Sequence, residues 1–254
     1  MGKNGSACTA KPGPELLRVK QLCDYLARTL NPKMKWMWGE ALLGYAMVLL
    51  DEYLGAEDYT AFLTAYCDYY VAHPPRVDYA DTAAPALITY SMQKKTGNGA
   101  YAQLTGRVLD YIRYEPRILG DAVNDLGKSP EGKFYPKSIW VDSLRMFSVF
   151  PALYARENQD QELLHGVRCG YLPQRPYRAA GEKAFQAVLR HLVVKPDGEV
   201  YLSGISAPTI PLQVFPCTCY RLTPRGKNWS YGVAAAVFAA LEYDRLQHIM
   251  PENV

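Results

Sequence analysis

Two kinds of helical segment alternate along this chain, and that alternation limits the folds open to it more than any other feature. Residues 15–30, 58–72 and 99–113 are amphipathic; in the first of them the apolar side chains fall at 16, 19, 22, 23, 26 and 30, one face of a helix. Residues 39–54, 82–96 and 141–156 are small and apolar nearly all round, the composition of a helix buried on both sides. Asn31–Pro32, Gly55, Pro74–Pro75 and Gly97 supply the stops, and Asp58 is expected to cap the helix that follows it. Strand-like alternation is confined to Gly198–Ser203 and Leu212–Tyr220, a short β-like segment near 198–220. Hairpins of one buried and one half-exposed helix predict an all-α fold, an α/α toroid whose inner helices form a barrel and whose outer helices wrap it.

That architecture has a consequence for function. All inner helices of such a ring run the same way, so the loops leading into them gather at one mouth. The residues found there are Trp36 and Trp38, Asp81, Asp142, and Trp229 with Tyr231. Asp142 follows Trp140 by two and heads Ile139–Arg156, where Val141, Leu144 and Phe147 recur at helical spacing. Each of these residues also has a plainer reading. Asp142 is equally placed to be a first-turn acid stabilised by the helix dipole, Asp81 to be an N-cap, and the tryptophans to be core. Arg145, three residues after Asp142, shares its helix face and is placed either to pair with it or to meet a substrate anion.

Composition narrows the partners. The 254 residues carry 28 basic and 25 acidic side chains, a formal balance of +3, with no basic run for nucleic acid and no acidic tail. Twenty tyrosines and four tryptophans suit a helical core and equally suit a carbohydrate cleft, where aromatic planes stack on sugar rings. Residues 1–14 read as a disordered lead without the apolar run of a signal peptide, ahead of a single domain over 15–254. The longest apolar patch, Val233–Leu241, is too short to span a membrane, and a cytoplasmic location is expected. The cysteines at 8, 23, 67, 169, 217 and 219 show no disulfide framework and read as free thiols. Cys217 and Cys219 lack a second pair at ligand spacing, so neither a metal nor another cofactor is expected. The four histidines, at 73, 165, 191 and 248, receive no role.

WMWGEALLGYAMVLLDEYLG, the Asp81 turn ahead of ALITY, and IWVDSLRMFSVFPALYAR resemble the unsaturated glucuronyl and unsaturated rhamnogalacturonyl hydrolases, glycoside hydrolase families 88 and 105. The likeness is ordered from about Lys33 to Arg156, resumes at GVRCGYLPQRPYRAAGEKAFQAVLRHLVVKPDGEVYLSG and closes with YGVAAAVFAALEYDRL. The resemblance implies a six-hairpin toroid and hydration of the double bond in a terminal 4,5-unsaturated uronic acid. By similarity Asp142 is the general acid/base and Asp81 the supporting group. Trp36, Trp38, Trp140 and Trp229 would stack on sugar, with Arg145, and more loosely Arg225 and Lys227, meeting the carboxylate.

The chain departs from the family pattern after Arg156. Glu157–Glu162 passes almost directly to the late hairpin, which implies a deletion junction near 157–166 and an incomplete ring whose apolar gap a second copy could cover. A catalytically degenerate toroid that binds oligosaccharide or serves a structural role is therefore the rival expectation. An isoprenoid-cyclase-like toroid fares poorly, because no Asp-rich diphosphate motif is present.

Overall fold

The computed structural model describes residues 11–118, 122–139, 150, 153–154, 174–207 and 223–248, without the side chains of 122, 174–181 and 246. Seven helices lie within them: α1 (Pro14–Thr29), α2 (Trp38–Leu54), α3 (Thr60–Ala72), α4 (Ala86–Thr96), α5 (Gly99–Tyr114), α6 (Gln174–Leu189) and α7 (Ser230–His248). Six short strands pair as three antiparallel ribbons: β1 (Arg117–Ile118) with β2 (Ala122–Val123), β3 (Leu192–Val194) with β4 (Val200–Leu202), and β5 (Ile205–Ser206) with β6 (Arg225–Gly226). The helical assignments over 15–113 hold to within a few residues. Residues 1–10, most of 140–156, the junction near 157–166 and Leu212–Tyr220 lie outside the described residues.

Helices α2, α4 and α7 are the apolar kind, and they pack side by side in the order α7–α2–α4. Contacts at both ends show that they run in the same direction. At their starts Trp38 stacks on Tyr231 with ring centroids 4.7 Å apart, and the Trp36 indole N–H donates to the Thr82 carbonyl just ahead of α4. At their ends Lys95 reaches Asp51 at 3.2 Å, and the Tyr53 hydroxyl donates to Asp244 at 2.8 Å. The amphipathic helices run the other way: Gly13 N–H at the start of α1 donates to Asp244, and Tyr59 N–H at the start of α3 donates to Asp51. Inner helices parallel to one another and outer helices antiparallel to them make the all-α toroid that the alternation predicts.

Close approach between inner helices needs small residues. A methyl group on Gly44 of α2 would meet Ile88 Cδ1 of α4 at 2.4 Å and Leu63 of α3 at 3.2 Å, so the three helices meet where α2 has no side chain. Gly55 then ends α2 in the left-handed conformation, φ 63°, which a glycine takes without steric cost.

One sequence assignment needs correcting. Asp58 does not cap α3; its own N–H and that of Tyr59 both donate to the buried Asp51 carboxylate, seven and eight residues back. The Asp58 carboxylate is turned instead to Lys20 of α1, at 2.8 Å. The long-range cap wins because a buried carboxylate must find donors, and the exposed one has solvent and a lysine.

Candidate active site

The mouth is built from the turns that precede α2, α4 and α7. Before α2, Trp36 is buried, 6% exposed, with its ring parallel to Tyr66 and edge-on to Tyr70 of α3. Trp38, the first residue of the helix, is half-buried and lies against Tyr231. The two tryptophans thus divide the work: Trp36 faces outward into the α3 aromatics, and Trp38 faces α7. Trp229 completes the rim, 6.1 Å from Tyr231, and the Tyr231 hydroxyl donates to the Ser206 carbonyl on β5.

Asp81 lies in the middle of a single 3₁₀ turn, Ala80–Thr82. It is not the N-cap of α4, whose N-cap position is Pro85. Thr82 knots the turn: its hydroxyl donates to the Tyr79 carbonyl at 2.7 Å and accepts from the N–H groups of Asp78 and Tyr79. Trp36 holds one side through Thr82. The other side is held by the loop 124–139, where Ala80 N–H donates to Asp125 O and Lys128 N–H to Asp78 O. Asp125 N–H in turn donates to Ser138 O at 2.9 Å. A relay of main-chain bonds therefore joins the Asp81 turn to Ser138, four residues before Asp142. The loop 124–139 is itself ordered by these bonds and by a second 3₁₀ turn, Glu131–Lys133.

The electrostatics of the mouth are acidic. Burial pushes the Tyr79 hydroxyl above its ordinary range, and the charges of Asp81, Asp78 and Glu131 add to that. Its proton is donated to Met37 Sδ at 3.2 Å, at the threshold of α2. Glu40, in the first turn of α2, is half-buried, and loss of solvent raises its carboxyl pKa against the opposing pull of its own backbone N–H and Lys35. Sequence reasoning passed over Glu40. Its signal was present: Trp38–Gly39–Glu40, which opens α2, repeats the sequence spacing of Trp140–Val141–Asp142, a tryptophan and an acid two residues apart.

Of the residues expected at the site, the structure brings Trp36, Trp38, Asp81 and Trp229 to the mouth end of the ring. Asp142, Trp140 and Arg145 lie outside the described residues. Arg225 and Lys227 are exposed on and just after β6, with the Lys227 ammonium 4.0 Å from the Tyr201 ring centroid. Among the described residues no group of three histidine, cysteine or acidic side chains gathers as a metal site, and Cys23 and Cys67 are free and buried.

The family model described as Glycosyl Hydrolase Family 88 matches residues 17–164 and 161–247. The chain belongs to glycosyl hydrolase family 88. Among solved structures, a glycoside hydrolase of family 105 from C. acetobutylicum ATCC 824 superposes with a TM-score of 0.70 at 14% identity. The match covers 89% of this chain and 99% of that one, and at such low identity it speaks for the fold. No curated protein sequence matches this chain. Membership makes the family 88 chain a glycosidase by kind, and its toroid is the fold the solved family 105 enzyme shares. No described helix of this hydrolase is long and apolar enough to cross a membrane.

Proposed function

We propose that this family 88 glycosidase acts on oligosaccharides left by polysaccharide lyases, whose terminal residue is a 4,5-unsaturated glucuronic or galacturonic acid, and that it works by hydrating the C4=C5 bond. Asp142 protonates C4 and takes up the proton of the water that adds to C5. C5 thereby becomes a hemiketal carbon, its ring opens, and the remaining sugar leaves from C1. Asp81 holds the attacking water. Trp38 and Trp229 stack on the sugar, Trp36 acts from beneath by fixing the Asp81 turn, and Arg145 meets the uronate.

The observation that carries this reading is the relay Ala80–Asp125–Ser138. It ties the turn bearing Asp81 to Ser138, four residues before Asp142, and so supports the reading in which the two acids, 61 residues apart in sequence, act together. An aspartate acts as an acid near neutral pH only when its surroundings raise its pKa, and a second carboxylate together with tryptophan and apolar neighbours is the means for that.

One observation favours a second reading. The family model matches in two stretches that meet at residues 161–164, which supports a ring shortened near that point and, with it, a toroid that binds oligosaccharide without turning it over. The conjugated alkene absorbs in the far ultraviolet and hydration abolishes the absorbance, so one assay separates the two. Loss of signal with wild type and not with Asp142→Asn supports hydration. An unchanged signal with saturable binding of the same disaccharide supports the binding module. Equal activity of wild type and Asp142→Asn removes the assigned acid.

A further inference from the structure

Asn228 stands out on backbone grounds. It is the single non-glycine residue with positive φ among the described residues, at 53°, a conformation that asparagine tolerates better than other L-residues with a β-carbon. Such a conformation persists where the surroundings over-determine it, and they do so here. Asn228 N–H donates to Leu202 O at 3.0 Å, Leu202 N–H donates to Asn228 Oδ1 at 2.8 Å, and Asn228 Nδ2 donates to Val200 O at 3.4 Å. One residue thus satisfies both main-chain groups of Leu202 on the edge of β4 that β3 leaves open.

Both neighbours of this pivot are seated as a result. Lys227 lies over Tyr201 of β4. Trp229 lies over Gly226, where a β-carbon would come within 2.6 Å of the indole ring, so no larger residue fits beneath it. Trp229 O then accepts the N–H groups of Gly232 and Val233, and Tyr231 is anchored on Ser206. The chain thus enters the aromatic rim, Trp229 to Tyr231 to Trp38, directly from a residue held at positive φ and pinned to β4.

We infer that Asn228 is a positioning residue: its side chain, by pinning the turn to β4, sets the aromatic rim against which the substrate sugar stacks. The catalytic consequence rests on the function proposed above; the effect on the rim does not. Asn228 touches no reacting atom, so its loss acts on binding rather than on the chemical step.

The test compares Asn228→Ala, Asn228→Gly and Asn228→Asp. Alanine loses the side-chain bonds and keeps the steric cost of positive φ; glycine loses the bonds and removes the cost. Aspartate keeps the oxygen that Leu202 N–H needs. The readouts are KM and kcat on an unsaturated uronyl disaccharide, and acrylamide quenching of Trp229 fluorescence, taken as the difference between each variant and its Trp229→Phe counterpart. Alanine and glycine are expected to raise KM on the order of tenfold, the change that about 1.4 kcal/mol of binding produces, with kcat little altered. Both should expose Trp229 to quencher, and aspartate, which keeps the Leu202 bond but turns an acceptor toward Val200 O, should restore both readouts in part. Glycine behaving as wild type while alanine does not would overturn the side-chain pin in favour of backbone conformation alone. Unchanged quenching in all three would overturn the inference outright. A wild type inactive on every unsaturated uronide sinks the proposed function, while the quenching series still decides whether Asn228 sets the rim.

Discussion

The indole nitrogen of Trp36 lies 2.8 Å from the Thr82 carbonyl oxygen, and through that bond the turn before α2 holds the turn that carries Asp81. Both partners are buried, so the carbonyl has no water to fall back on. Trp36→Phe keeps an aromatic ring against Tyr66 and Tyr70, removes the donor and leaves a small cavity where the rest of the indole was. Its expected cost is about 1–3 kcal/mol in chemical denaturation, the range for an orphaned buried acceptor, and a fall in kcat greater than any change in substrate affinity. A variant with wild-type stability and kcat would show that Asp81 is held by the 124–139 loop alone.

Gly44 and Ile88 make a sharper packing test. Gly44→Ala places a methyl where Ile88 Cδ1 stands, and overpacking of this kind costs about 1–3 kcal/mol. Ile88→Val removes that terminal carbon. In the double variant the penalty should shrink, giving a coupling energy on the order of 1 kcal/mol in a double-mutant cycle. Additive penalties would mean that α2 and α4 do not touch there.

The sequence announced the inner helices clearly and their thresholds poorly. Helix α2 is legible because apolar residues surround it and Gly55 ends it. The start of α4 is not, since Ala83, Ala84 and Ala86 carry no periodic signal and Pro85 offers no N–H; the 3₁₀ turn at Asp81 exists because Trp36 and Asp125, 45 residues away on one side and 44 on the other, bond to its main chain. Local propensity carries no trace of such partners. Asp58 misled for the same reason, its capping role being taken by Asp51. Glu40 is the opposite case, a residue whose Trp–x–acid spacing was readable and whose partial burial was not.

Glu40 gives a prediction in pH. Loss of solvent raises its folded carboxyl pKa above the unfolded value, so the folded state binds the proton more tightly and stability falls as pH rises through that window. Glu40→Gln removes the penalty. The variant should melt higher than wild type at pH 7, and the gain should vanish below about pH 4, near the unperturbed glutamate value where both states are protonated. A gain that grows with acidity would reverse the sign and show a carboxylate stabilised by its surroundings.

At the far end of the ring, Asp51 is 2% exposed and accepts from Asp58 N–H, Tyr59 N–H and Lys95. Burial raises its pKa and these three donors oppose the rise. Asp51→Ala strands both amides and the ammonium, an expected loss of about 3 kcal/mol. Because this end lies a helix length from the mouth, folded Asp51→Ala protein should keep the KM of wild type. An altered KM at full folding would mean that the two ends of the barrel are coupled.

Addition of water across the alkene, ahead of any break at the glycosidic bond, is the central claim, and one reaction followed by two signals tests it most directly. Wild-type protein is mixed with an unsaturated uronyl disaccharide while alkene absorbance and free reducing sugar are recorded together. Hydration predicts that absorbance falls no later than sugar appears, mole for mole. Release of sugar while the alkene absorbance persists would contradict it, and would make this ring an ordinary glycosidase that cuts at C1.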